Sequence, residues 1–278
     1  MAFCSVVLYS AWFCPYAQRA WIALNENENK NNVPTKVVES LSIDPATEAY
    51  VKLPKLLEYN PKGLVPVLVE TSSSRSGDGS RSGRKEEEAV YCDSLAILYE
   101  LYSRQLKEDD GDAATRKARL EERFEKANYW NQRICSFFYT VIMCQDPLQS
   151  KAFWEELVDR LMEFCQHLPS EDDMSNGQTF YDMQSEPGII DLTVFPFVHR
   201  LYLLEHYKGF TFPEATQVQR NAKRQLLAWQ HHMEGRPSVA QTLASRDKLT
   251  PIYKRYADGS AKSKVAESVR QGRAAHDV

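Results

Sequence analysis

The sequence contains few cysteines for its length, and none of them form a closely spaced pair. Its six cysteines are scattered between Cys4 and Cys165 over 278 residues, without a CxxC spacing or a paired metal-ligand pattern. This scatter argues against a disulfide framework and against a zinc site, and it favours a reducing compartment. We therefore expect no bound metal.

Long apolar runs and an excess of basic charge are also lacking. No apolar stretch reaches the roughly 20 residues that a membrane helix requires, and the apolar start MAFCSVVLYSAWF lacks the basic segment and the cleavage site of a signal peptide. A formal net charge of −4 and a pI near 5.9 argue against binding to a phosphate backbone. We expect a cytoplasmic protein with no membrane and no nucleic acid among its partners.

The composition that is present is globular, with 43% hydrophobic and 26% charged residues, and the length suits two domains. Helical patterns open at Cys14-Pro15 and at Asp93, and the segments SVVLYS, TKVVESL, LVPVLVE and AVYC are typical of strands. Beyond residue 112 the patterns are helical, with no convincing strand. This order predicts an α/β domain followed by an all-α domain.

Changes in composition predict the domain boundaries. The α/β domain is expected at residues 1–106, the charged segment KEDDGD after it is the expected linker, and the helical domain is expected at residues 113–258. The Ser-, Gly- and charge-rich stretch 71–88 is predicted to be a disordered loop inserted in a hairpin. The small, polar tail 259–278 is also predicted to be disordered.

The segment WFCPYAQRAW carries the most specific chemical signal. Cys14 stands immediately before Pro15, which suits the first position of a helix because its missing N–H would be unpaired there anyway. At a helix N-terminus, free N–H groups and the helix dipole favour a thiolate, the state of a nucleophilic or redox cysteine. Ala17 stands where a CxxC pair would have its second cysteine, so an external thiol must resolve an oxidised Cys14. The alternative is an inert cysteine in a core.

Three segments together resemble a known family: FCPYAQRAWIALNE, NPKGLVPVL and the helix-opening Asp93-Ser94. They are similar to the thioredoxin-like glutathione-binding domain of the cytosolic glutathione transferases, most closely the omega class, which uses cysteine at this position. GIIDLTVFPFVHRL and the C-terminal LLAWQHHMEGRPSVAQTLASRDKLTPIYKRY are similar to omega-class helices in order and spacing. The resemblance implies a thioredoxin-like N-terminal domain, an all-helical acceptor-site domain, glutathione as co-substrate and a homodimer.

The resemblance also implies which residues hold glutathione. Val65 and Pro66 match the family's cis-proline element, whose backbone would pair with the cysteinyl unit of glutathione like an added strand. Asp93 and Ser94 open a helix and would hold the γ-glutamyl end; alternatively, they are simply a good helix cap.

Further candidates concern the glycyl end of glutathione and the acceptor. Lys52 matches an omega-class lysine near the glycyl end, with Lys55 as the alternative. The expected acceptor is a small electrophile or a disulfide. The resemblance implies an acceptor site that includes Pro15, Tyr16, Arg200, Tyr253 and Tyr256, of which the last three are alternatively packing or surface residues of amphipathic helices.

These features predict a glutathione-dependent thiol transferase. Its expected reactions are deglutathionylation and dehydroascorbate reduction through a mixed disulfide on Cys14. Three alternatives remain at this point: a glutathionyl-hydroquinone reductase, a protein like the intracellular chloride channels that acts at membranes or by protein contact, and a non-catalytic module with the glutathione transferase fold.

Overall fold

The computed structural model describes residues 3–31, 35–44, 46–47, 49–75, 84–105 and 112–278. The chain divides into two compact units, residues 1–107 and 108–278. The predicted linker lies outside the described residues except for Asp112, whose side chain accepts a hydrogen bond from the backbone N–H of Thr115 and so caps the first helix of the second unit.

The first unit is a mixed sheet with flanking helices. Its elements are β1 (Phe3–Ser10), α1 (Pro15–Asn31), β2 (Thr35–Glu39), β3 (Leu41–Ile43), β4 (Tyr50–Lys52), α2 (Pro54–Tyr59), β5 (Val67–Arg75), β6 (Arg84–Cys92) and α3 (Ser94–Ser103). The main sheet has the strand order β2-β1-β5-β6, and β3 pairs with β4 in a separate two-stranded sheet. Strand β1 is parallel to β2, whereas β5 is antiparallel to both β1 and β6. A β-α-β unit followed by a hairpin and a helix is the predicted thioredoxin-like arrangement.

The core of this unit explains why its sequence forms these elements. Apolar residues of the central strands, such as Leu8 and Leu68, are completely buried. Helix α1 has its proline at the first position, where no N–H is needed, and small residues such as Ala17 and Ala20 are buried along it. These alanines allow α1 to pack closely, and it contacts α3.

The hairpin strands are longer than the sequence predicts. Residues 71–75 continue β5 and residues 84–88 begin β6, in antiparallel register from Thr71 opposite Glu88 to Arg75 opposite Arg84. The prediction of disorder was wrong for these residues, because backbone hydrogen bonds between strands do not require the apolar alternation on which the prediction depended. The rest of the predicted loop, residues 76–83, lies outside the described residues.

The second unit is helical, as predicted. Its helices are α4 (Ala113–Trp130), α5 (Phe137–Met143), α6 (Pro147–Cys165), α7 (Glu171–Ser175), α8 (Ile189–Val198), α9 (Tyr202–Lys208), α10 (Gln217–Glu234), α11 (Pro237–Ala240), α12 (Arg246–Ala257) and α13 (Lys264–Arg270). A π-helical segment, Asn131–Ser136, joins α4 to α5. All residues of α8 are buried, so this helix is the centre of the unit. Within the described residues, no helix is long and apolar enough to span a bilayer.

The tail also differs from the prediction. Residues beyond 258 include α13, in which Ala266 and Ser268 are buried, and Ala275 is buried as well. The backbone N–H of Ala275 donates to the hydroxyl of Ser136, and α13 contacts α5. The prediction of a disordered tail was wrong because a chain end becomes ordered when it is tied to the body of its domain, which a low content of large apolar residues does not prevent.

Candidate active site

Several of the predicted site residues follow or precede strands at one end of the main sheet. Tyr9, near the end of β1, pairs with Val67 at the start of β5, and Val67 pairs with Cys92 at the end of β6. The loop that leaves β1, the segment that enters β5 and the start of α3 therefore lie at the same sheet end. Neighbouring strands are about 4.8 Å apart, so these three segments are adjacent.

Cys14 is the residue that precedes helix α1. Its N–H donates to the carbonyl of Ala11 at 2.9 Å, and its carbonyl accepts from the N–H of Gln18 at 3.0 Å, the first bond of the helix. Cys14 thus has the N-cap position, with Pro15 next to it at the first helical position, as the sequence predicts. The thiol group belongs to a half-buried residue at the positive end of a helix of 17 residues. This position favours a thiolate.

The Val65–Pro66 peptide bond is cis. Val65 is half-buried and packs against an apolar cluster that includes Tyr9 and Val67, and Pro66 is buried. Just before this bond, the carbonyl of Leu64 accepts a hydrogen bond from the side chain of Asn60 at 3.1 Å. The backbone that enters β5 is therefore held in place next to the loop that leads to Cys14.

Asp93 and Ser94 have different roles at the start of α3. The Oδ1 atom of Asp93 accepts from the backbone N–H groups of Leu95 at 2.8 Å and Ala96 at 3.1 Å, so its carboxylate caps the helix. Asp93 is exposed, and its backbone has a φ of 90°. Ser94 is buried, and its hydroxyl oxygen accepts a hydrogen bond from Nη1 of Arg19 at 3.1 Å.

Arg19 is a site residue that the sequence does not predict. Its side chain is completely buried, and its guanidinium lies 4.9 Å from the centre of the Tyr16 ring. By donating to Ser94, Arg19 connects α1 to α3 at the sheet end that also carries Cys14. The available signal was an arginine among small residues on a helix. Such a residue is usually solvent-exposed, which is why the pattern alone does not identify it.

Glu39 is another carboxylate near this end that the sequence does not predict. It is the last residue of β2, and its Oε2 atom accepts from the backbone N–H of Trp12 at 3.0 Å. Burial raises the pKa of Glu39, and the hydrogen bond from Trp12 opposes this shift. This contact fixes the loop between β1 and Cys14.

The two candidate lysines point to different partners. Lys52 is half-buried at the end of β4, and its ammonium donates to the carbonyl of Lys62 at 3.1 Å, close in sequence to the Val65–Pro66 peptide. Lys55 instead pairs with Glu58 at 2.6 Å and lies over the ring of Tyr59, within its own helix. Of the two, Lys52 is directed to the segment that enters β5.

The candidates in the helical unit are buried within that unit. The guanidinium of Arg200 donates to the carbonyl of Pro196 at 2.6 Å, and the hydroxyl of Tyr256 donates to Ser263 at 3.0 Å. The ring centre of Tyr253 lies 5.5 Å from that of Tyr256. These contacts are those of packing residues in an aromatic core. A role of Arg200, Tyr253 and Tyr256 in acceptor binding stays a prediction.

Comparisons with known proteins agree with this geometry. Residues 13–104 match the family model described as glutathione S-transferase, N-terminal domain. The fold is similar to glutathione transferase Omega 3C from Trametes versicolor, with a TM-score of 0.62 and 21% identity over 93% of each chain. It is also similar to a Tau class glutathione S-transferase from mango, Mangifera indica, with a TM-score of 0.63 and 20% identity over 92% of this chain and 100% of that chain.

A third similar structure contains bound glutathione. It is a glutathione transferase from Burkholderia graminis with two glutathione molecules bound per subunit, and it has a TM-score of 0.53 and 18% identity over 88% of this chain and 89% of that chain. No curated protein sequence matches the chain significantly. Residues 13–104 thus match the N-terminal domain model of the glutathione S-transferases, and the chain has the glutathione transferase fold. The resemblance to this family that the sequence predicts is confirmed.

Proposed function

We propose that the protein is a glutathione-dependent thiol transferase of the omega type, with Cys14 as its nucleophile. The observation that supports this most is the N-cap position of Cys14 on α1, at the sheet end that also carries the Val65–Pro66 peptide and Ser94. Glutathione as co-substrate is supported by the family match at residues 13–104 and by the glutathione-bound structure from Burkholderia graminis.

The proposed reaction consists of two thiol–disulfide exchanges. In the first, the Cys14 thiolate attacks the glutathione sulfur of a mixed disulfide, so that a Cys14–glutathione disulfide forms and the acceptor leaves as a thiolate that takes a proton. In the second, the thiolate of another glutathione attacks that disulfide, glutathione disulfide leaves, and the Cys14 thiolate is restored. The same cysteine reduces dehydroascorbate to ascorbate, with two glutathiones as the reductant; they supply two electrons and two protons and leave as glutathione disulfide.

The proposed contacts with glutathione follow from the groups at the sheet end. The backbone of Val65, before Pro66, pairs with the cysteinyl unit, and the hydroxyl of Ser94 with the first N–H groups of α3 binds the γ-glutamyl carboxylate. The carboxylate of Asp93, which already caps α3 through Oδ1, binds the γ-glutamyl amino group through Oδ2. Lys52 binds the glycyl carboxylate. Cys14 then lies beside an oriented sulfur, which makes the exchange nearly intramolecular.

For the acceptor, we propose a small electrophile or disulfide in contact with Pro15 and Tyr16 beside Cys14. We also propose a cytoplasmic homodimer. Sedimentation velocity at micromolar concentration tests the oligomeric state, and a monomer under those conditions contradicts the dimer.

The decisive experiment is Cys14→Ser, with Cys92→Ser as the matched control. Cys92 is an exposed cysteine at the same end of the sheet, two strands away from the loop that leads to Cys14. Cys14→Ser should abolish the reduction of glutathione mixed disulfides and of dehydroascorbate, because a hydroxyl cannot form or release a mixed disulfide. Conjugation of glutathione to an aromatic chloride should persist or rise in this variant, because no protein thiol competes with glutathione.

Cys92→Ser should retain the parental rates. A Cys14→Ser protein that still reduces mixed disulfides at the parental rate contradicts the proposal. Reduction of glutathionyl-hydroquinones without turnover of dehydroascorbate would point instead to a hydroquinone reductase.

A further inference from the structure

The side chain of Lys52 fills the space that a side chain at residue 63 would occupy. Gly63 is buried and has a φ of +61°, and a Cβ atom on its backbone would lie 2.4 Å from Cδ and 2.6 Å from Nζ of Lys52. Both distances are far inside van der Waals contact. The lysine therefore crosses residue 63 through the space that a side chain would fill, and its ammonium reaches the carbonyl of Lys62 at 3.1 Å.

The turn beneath the lysine is held independently of it. The N–H of Gly63 donates to the carbonyl of Asn60 at 2.7 Å, and the N–H of Lys62 donates to the Asn60 side chain at 3.1 Å. The same side chain donates to the carbonyl of Leu64 at 3.1 Å. A methyl group added at residue 63 would therefore meet a braced backbone on one side and the flexible end of a lysine on the other. The lysine is the part that moves.

We propose that Gly63 is a positioning residue for Lys52, and that the missing side chain at residue 63 sets where the ammonium binds a carboxylate of the substrate. The inference rests on the proposed function, since it takes that carboxylate to be the glycyl end of glutathione. Lys52 lies at the end of β4, and the carbonyl that holds it is three residues before Val65. A Cβ atom at residue 63 would displace the Lys52 ammonium from the Lys62 carbonyl, while the lysine and its charge would remain in the protein.

The test compares glutathione with its glycyl monoethyl ester, which lacks the negative charge that the ammonium would bind. Gly63→Ala should weaken the binding of glutathione roughly tenfold, the loss of one charge-assisted hydrogen bond, and change the binding of the ester less than twofold. Lys52→Met should have the same effect. In the double variant the two losses should not add, because both act on one ammonium.

Two further variants separate this mechanism from strain in the backbone. Gly63→Asn also adds a Cβ, but asparagine tolerates a positive φ better than alanine does. If the displaced lysine is the cause, Gly63→Asn should weaken the binding of glutathione as much as Gly63→Ala does. Gly209 has a φ of +71° with nothing within 4 Å of an added Cβ, so Gly209→Ala reports the cost of the backbone conformation alone and should leave glutathione binding unchanged. Calorimetric titration measures the affinities, and thermal unfolding verifies that each variant is folded.

Acetylation of Lys52 provides a readout without glutathione. Its rate with acetic anhydride, followed by peptide mass spectrometry, should rise in Gly63→Ala because the ammonium leaves the Lys62 carbonyl. Equal losses for glutathione and its ester, additive losses in the double variant, parental binding by Gly63→Asn, or an unchanged acetylation rate each overturn the role of Gly63. If the parent binds neither ligand but the acetylation rate still rises, the positioning of Lys52 holds and the proposed function fails.

Discussion

The reactivity of Cys14 towards an alkylating agent should differ from that of the other cysteines. A helix N-terminus stabilises a nearby negative charge by up to about 2 kcal/mol, so the pKa of the Cys14 thiol is expected to lie below the ordinary value of about 8.5. Burial acts in the opposite direction elsewhere in the chain. It raises the pKa of Cys165 to about 12, and burial together with the Asp93 carboxylate raises the pKa of Cys92.

These shifts determine the order of reactivity. Because only the ionised form of a thiol reacts, Cys14 should react first at pH 7, and Cys165, whose pKa is raised to about 12, should react last. Iodoacetamide alkylation at a series of pH values from about 5 to about 9.5, quantified by peptide mass spectrometry, gives a rate profile for each cysteine. The Cys14 rate should level off at a lower pH than the Cys92 rate, and Cys165 should remain unmodified.

The unfolded chain is the control for this experiment. In denaturant, all cysteines should react with one profile centred at about 8.5, because neither the helix nor burial remains. If the midpoint of the native Cys14 profile lies at the same pH as the midpoint of the denatured chain, or at a higher pH, the stabilisation of its thiolate by α1 is refuted.

Three other predictions concern the glutathione contacts and the stability of the helical unit. Ser94→Ala should weaken glutathione binding by about 1–2 kcal/mol in a calorimetric titration. Arg19→Met should weaken binding by a similar amount, and Arg19→Lys should have an intermediate affinity. If Ser94→Ala and Arg19→Met both bind glutathione with the parental affinity, the γ-glutamyl end binds elsewhere. Asp191 is fully buried and accepts hydrogen bonds from the N–H groups of Tyr181 and Gly188 and from the indole of Trp229. Asp191→Ala should lower the free energy of unfolding in urea by about 3 kcal/mol or more, because two buried donors and one partly buried donor lose their acceptor, and a loss below about 1 kcal/mol would contradict this. A chain that ends at Asp258 should melt several degrees below the full chain, and an unchanged melting temperature would mean that α13 contributes nothing to stability.

Local features of the sequence were predicted well, for a physical reason. A proline at the first helical position removes a hydrogen-bond donor that would have no partner there, so the start of α1 after Cys14 follows from neighbouring residues alone. The change from strand patterns to helical patterns likewise depends on the spacing of apolar residues within short segments. The α/β unit and the all-helical unit that these patterns predict are both present.

Features that depend on distant parts of the chain were not predicted. Arg19 and Ser94 are 75 residues apart, and their hydrogen bond exists only because α1 packs against α3. The difference between Lys52 and Lys55 depends on the turn at residue 63. The carbonyl of Lys62 in this turn accepts a hydrogen bond from Lys52, whereas Lys55 pairs with a residue of its own helix. The pattern of α13 contains few large apolar residues, so its burial becomes evident only from the helix it contacts.

The sequence by itself determined the order of the two units, the position of Cys14 before Pro15 at the start of α1, and the segments that surround it, because each of these follows from the conformational preferences of adjacent residues. Three features follow only from the tertiary structure. Arg19 is buried and donates to Ser94, the side chain of Lys52 lies against Gly63, and the buried Asp191 accepts a hydrogen bond from Trp229 in the core of the helical unit. Each of those contacts joins residues that are well separated along the chain. Their energies depend on burial and on exact distances, which are properties of the packed molecule and not of any single segment.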